Sequence, residues 1–172
     1  MNVYRINIIR FLLLILTQIL IFNFFSIEWF TIPFIEIYIY PLVILLLPLK
    51  TPRSALIISG FIIGIIVDIF NNTPGIHSGA GTLIGYIRPF IIQFIQPRGG
   101  YKVNISPTIV SINFKWFAIY AGIMTFFHSL TVSIFDIFQL KFLHYILLRT
   151  FLSGLASYLI VMVIMIIFNP KE

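Results

Sequence analysis

Six long runs of apolar residues alternate with short polar breaks, at about Ile6–Phe25, Ile32–Leu49, Ser54–Phe70, Gly75–Ile95, Phe114–Phe138 and Phe142–Phe168. A helix needs ~20 apolar residues to cross ~30 Å of hydrocarbon, so the pattern predicts about six transmembrane helices. The second run is the least regular, with Glu36 near its start and Pro41 inside. A proline there removes a backbone donor and should kink the helix. All connections are short except Gln96–Asn113, so neighbouring spans are expected to run antiparallel. That longer loop holds Gly99-Gly100 and then alternates polar and apolar residues from Tyr101 to Ser106, which suits a short strand or a segment on the lipid surface.

Composition fits this pattern. Of 172 residues, 60% are apolar and only 9% are charged. A water-soluble domain of this size carries roughly a quarter charged residues, so the solvent of this chain must be mostly lipid. The expectation is one all-α polytopic membrane domain over residues 1–172, with no room for a soluble domain on either side. Cysteine is absent, which rules out disulfides and thiolate metal sites. The net charge of +6 is scattered between apolar runs. It forms no basic stripe of the kind that binds nucleic acid.

The scatter of charge does carry topology. With a cytoplasmic N-terminus, the inner segments hold Arg5, Arg10, Lys50, Arg53, Arg98, Lys102, Lys115 and Lys171, and the outer ones only Lys141. Glu28, Glu36, Asp68 and Asp136 fall at or near the outer ends. Both termini are therefore expected inside a bacterial inner membrane. Arg5, Arg10 and Phe11–Phe25 resemble the start of a signal peptide, but bulky residues follow where a peptidase needs small ones. The run reads as an uncleaved first span.

Gly60, Gly64 and Asp68 follow at i+4 spacing and share one helical face. Glycines so placed let another helix approach closely, and the face is expected to pack on the fourth span or on a partner. A carboxylate in a span is a functional candidate by default. Asp68 can equally cap the short Asn71-Asn72-Thr73-Pro74 turn. Spacings of four recur at Gly75/Gly79 and Gly81/Gly85, and point to tight packing. Arg88 lies in the inner half of its span and is expected to snorkel to the headgroups, with a buried pair as the alternative. Arg149 lies in the outer half of the last span and needs an acid. Asp68 is the expected partner by depth, with Glu36 and Asp136 as rivals.

Catalytic patterns are missing. The sequence has no Walker loop, dinucleotide glycine motif, His-Glu-x-x-His or Gly-x-Ser-x-Gly. His77, His128 and His144 come from three different spans without ligand-pair spacing, so no metal site is expected. The expectation is a protein without catalytic residues, cofactor or metal.

The string Gly60-Phe-Ile-Ile-Gly64-Ile-Ile-Val-Asp68-Ile-Phe-Asn-Asn-Thr-Pro74-Gly75-Ile-His77-Ser-Gly-Ala80 resembles the core motif of the rod shape-determining MreD family. Pro48-Leu-Lys50-Thr-Pro52-Arg53, Arg88-Pro89-Phe90 and Pro107-Thr108 leading to Lys115-Trp116-Phe117 are similar to versions from the Bacteroidetes group. The resemblance implies a non-enzymatic partner of MreC. In that family the pair links MreB filaments to the peptidoglycan polymerase RodA and its transpeptidase partner, a penicillin-binding protein. It also implies a fold similar to the substrate-binding subunits of energy-coupling-factor transporters. A vitamin-like binding subunit is therefore the alternative function. The first run has neither Gly nor Ala, which disfavours the docking such a subunit needs.

Overall fold

The computed structural model describes residues 12–22, 35–101 and 105–168. The first part is helical over 12–22 (α1), with wider, π-type turns at Gln18–Phe22. Next come α2 (Pro41–Leu45), α3 (Arg53–Asn71), α4 (Ile76–Phe94), α5 (Phe114–Ile137) and α6 (Leu143–Phe168). A single 3-10 turn at Leu140–Phe142 leads into α6. Among the described residues there is no strand.

Three helices, α3, α5 and α6, are long and apolar enough to cross a membrane. Their outer faces carry large exposed apolar side chains such as Phe61, Phe127, Phe151 and Ile166. Water would not tolerate so extensive an apolar surface, and lipid requires it. α4 is as long as α3 but is rich in Gly, Ser and Thr. It packs against α2, α3 and α5, so its neighbours are mostly protein.

The closest contact in the bundle is between α3 and α4. A Cβ on Gly60 would fall on the carbonyl of Gly81, and one on Gly64 would fall on the backbone of His77 and Ser78. Gly85 repeats the arrangement one turn further on, where a Cβ would come 2.5 Å from the Leu56 carbonyl oxygen. The two backbones therefore touch along Gly60, Gly64, Gly81 and Gly85. Gly75 and Gly79 do other work. Gly75 opens α4 at φ +94, a left-handed conformation that suits glycine, and Gly79 faces the Phe135 ring on α5.

The second expected span is not a kinked helix. Among its described residues, 35–39 are non-helical and only Pro41–Leu45 is helical. Pro41 stands in the first turn, where its missing N–H breaks no helical bond. An open backbone at this depth must find its hydrogen bonds within the protein, and it does. Glu36 N–H donates to Ser153 Oγ (2.9 Å) and Tyr38 N–H to Ser157 Oγ (2.9 Å). Ile39 N–H donates to Gln18 Oε1 (2.7 Å), and Gln18 Nε2 donates to the Ile37 carbonyl (3.0 Å). Serines four apart on a helix are separated by ~6 Å along its axis. Alternate residues of an extended chain are ~6.6 Å apart. The two spacings match, so α6 offers this segment a ladder of hydroxyls.

The Gln96–Asn113 loop lies at the basic end of the bundle, near Lys50, Arg53 and Lys115. Residues 102–104, where the alternation was centred, lie outside the described part. Beyond them, Thr108 and Ser111 form a reciprocal turn, and Asn113 Oδ1 accepts from Trp116 N–H (2.7 Å) to start α5.

Arg88 does not snorkel. It is 1% exposed, with Nε donating to the Tyr120 hydroxyl (2.9 Å) and Nη2 to the carbonyls of Leu45 and Leu47. The Leu45 carbonyl ends α2 and Leu47 lies two residues beyond it, both at the negative pole of that short helix, so the guanidinium is drawn inward. A lysine could not hold this forked arrangement. Arg88→Lys should lower unfolding stability in detergent by ~1–3 kcal/mol. Unchanged stability would mean that the fork is replaceable.

Candidate functional site

Polar side chains gather at the opposite, acidic end, where α3 and α5 finish and α4 and α6 begin. The site has three connected parts.

Asp68 forms the first part and is 5% exposed. Its Oδ1 accepts from Thr73 Oγ1 (3.0 Å) and His77 N–H (2.9 Å). Its Oδ2 accepts from Gly75 N–H (3.2 Å) and Ser78 N–H (2.9 Å). The first amides of a helix have no partners of their own, and a negative charge there is favoured by the helix dipole. Asp68 therefore fastens the start of α4 to the end of α3. The expected pair with Arg149 does not form, because donors from the turn and α4 take up this carboxylate.

Arg149 forms the second part. Its Nη2 meets Glu36 Oε1 at 2.5 Å, and its Nη1 donates to Asp136 Oδ2. The two rivals both win, and one guanidinium joins the 35–40 segment, α5 and α6. The Tyr38 hydroxyl donates to the other Glu36 oxygen. Breaking a buried pair costs ~3–5 kcal/mol. Here Glu36 and Asp136 are 41% and 36% exposed, and solvent screens much of that. Arg149→Gln should therefore lower stability by roughly 1–3 kcal/mol, read by denaturation in detergent. No loss at all would count against the three-way junction.

The third part is a node that the sequence did not announce. The Tyr40 hydroxyl lies 2.5 Å from His128 Nε2 and 3.2 Å from His77 Nδ1. His77 Nε2 lies 3.4 Å from Asn71 Nδ2. All three rings are buried, and His128 Nδ1 has no hydrogen-bond partner. Tyr38 packs edge-on to His128 with centroids 5.1 Å apart. His144 stands apart and exposed. Among the described residues, no three His, Asp or Glu side chains group as metal ligands.

Of the residues singled out from sequence, Asp68, Gly75 and Arg149 meet at this end. Gly60 and Gly64 build the helix contact that supports it, and Gly79 seats Phe135. Sequence reasoning missed Tyr38, Tyr40, Ser153 and Ser157 as site residues. A signal existed in Ile35-Glu36-Ile37-Tyr38-Ile39-Tyr40, a strict alternation with the period of an extended chain.

Fold and site together describe a helical membrane protein with a buried polar cluster at one end. No protein-family model, curated protein or solved structure matches the chain.

Proposed function

We propose that this protein is a non-enzymatic membrane scaffold of the cell-elongation machinery, as the MreD-like motif implies. It would bind MreC in the bacterial inner membrane, with both termini cytoplasmic and six crossings. Through MreC it would connect MreB filaments to RodA and its penicillin-binding transpeptidase.

One observation carries this reading over the alternative of a vitamin-binding transporter subunit. At the acidic end the chain's own 35–40 segment packs against α1 and α6. Its backbone and side chains already satisfy Ser153, Ser157, Gln18 and Arg149. A groove of about 160 Å³ runs between α5 and α6, lined by Gly122, Thr125, Phe126, Thr150, Gly154 and Tyr158 among others. The Thr150 hydroxyl has no partner there, unlike Thr125 and Thr131, which donate to their own helix.

The test is recovery of the tagged full-length chain from its native membranes in mild detergent. Co-recovery of a protein with one span and a large outer domain, together with a multi-span polymerase, is expected. Co-recovery of ATP-hydrolysing coupling subunits instead would reverse the choice.

A further inference from the structure

We propose that Tyr40, His77 and His128 form a pH-sensitive latch that holds the 35–40 segment in the bundle and releases it on acidification. The argument comes from counting protons along the hydrogen-bonded chain. With neutral rings and the Asn71 amide turned as it stands, one order is consistent. Asn71 Nδ2–H donates to His77 Nε2, His77 Nδ1–H to the Tyr40 oxygen, and Tyr40 O–H to His128 Nε2. His128 Nδ1–H is left over, which agrees with its lack of a partner.

One added proton can be held only by rearrangement. Protonated at Nε2, His128 becomes a donor, so the Tyr40 hydrogen must turn to His77 Nδ1 and the Asn71 amide must rotate to offer its oxygen. Protonated His77 likewise needs that rotation. A second proton cannot be held. Both imidazoles would then donate to one phenolic oxygen, whose own hydrogen would face only donors. Two like charges would also share a buried site, and burying an unpaired charge is costly.

Neighbouring charges are already committed. From the segment itself, Glu36 is bound by Arg149 and by Tyr38. From α3, Asp68 is taken by four donors. From α5 and α6, Asp136 and Arg149 face each other. From α1, the neutral Gln18 bonds to the segment. On α4, Arg88 is engaged at the far end. No carboxylate contacts His128 among the described residues.

In the released state the rings meet water and take up protons freely. That state binds more protons than the latched one, so its population rises as pH falls. Release exposes the backbone of residues 36–39, whose amides rest on Ser153, Ser157 and Gln18.

The chain has no cysteine, so single-cysteine labelling of the full-length protein in nanodiscs reads release directly. Ile39 is 0% exposed, whereas Lys141 is exposed. The ratio of the maleimide labelling rate of Ile39→Cys to that of Lys141→Cys cancels the effect of pH on the thiol. Between about pH 7.5 and about pH 5.5 this ratio should rise about tenfold for one proton taken up, a window above the ordinary carboxylate range. Adding His77→Asn and His128→Gln should flatten the response. Tyr40→Phe removes the shared oxygen while keeping both imidazoles, and should give a high ratio already at the upper pH. A ratio in the Ile39→Cys protein that does not change with pH overturns the latch, whether or not the histidine variants fold. So does a rise that persists undiminished without the two histidines, or a Tyr40→Phe protein that stays closed with its pH response intact.

Discussion

Asp68→Ala should be among the most damaging single substitutions in the chain, lowering stability by roughly 3–5 kcal/mol. The carboxylate is buried and collects four donors, three of them backbone amides at the start of α4. Hydrogen bonds to a charged group contribute ~1.5–3 kcal/mol each, and removing the shared acceptor strands every donor together. Asp68→Asn separates the cap from a general need for a polar residue. Backbone amides that can only donate approach both carboxylate oxygens, so either way the Asn N–H₂ would face one, and Asn should recover little of the loss. Exchanging the charges, Asp68→Arg with Arg149→Asp, should recover nothing, because the two residues are not partners. Chemical denaturation in one detergent, followed by circular dichroism, measures all three. Full stability in Asp68→Asn would mean that shape and not charge closes this corner.

The second large effect belongs to Gly64. A Cβ at that position would overlap the backbone of His77 and Ser78, which has no rotamer through which to escape. Overpacking costs ~1–3 kcal/mol when side chains can shift, so Gly64→Leu should exceed that range. Gly60→Ala should behave alike, since its Cβ would meet the Gly81 carbonyl. Gly122→Ala is the control. Its Cβ would make an ordinary 3.6 Å contact with the Tyr158 ring, and its stability should stay within about 0.5 kcal/mol of the parent. Equal tolerance at Gly64 and Gly122 would contradict the backbone contact between α3 and α4. The stripe also ties this contact to the site, because pushing α4 away at Gly64 moves the amides that Asp68 caps.

The i+4 glycines of α3 were legible because helical spacing alone puts them on one face, and α4 meets them with Gly81 and Gly85. The Asp68 turn was legible as one of two readings, since a carboxylate just before Asn-Asn-Thr-Pro-Gly has amides within reach whatever the tertiary fold. Arg149 was not resolved by depth. Asp68, Glu36 and Asp136 all lie near the same end, and only the packing of three elements selects among them. The 35–40 segment was lost for a different reason. Hydropathy scores an apolar run alike whether it is coiled or extended, so the Ile alternation was absorbed into a span. Arg88 went astray because snorkelling assumes a lipid-facing side chain, and the face of α4 that carries Arg88 is covered by Tyr120 and by the carbonyls of Leu45 and Leu47.

In the proposed function the scaffold recognises its partner within the membrane, with its polar end closed by its own chain. The most direct measurement compares two forms of the proposed MreC partner in nanodisc pull-downs, the full-length protein and its outer domain without the spanning helix. Full-length MreC should be captured, and capture should fall when Gly122→Leu fills the groove between α5 and α6. The outer domain alone should bind far more weakly. Equal binding of both forms, unaffected by Gly122→Leu, would contradict recognition through the helices.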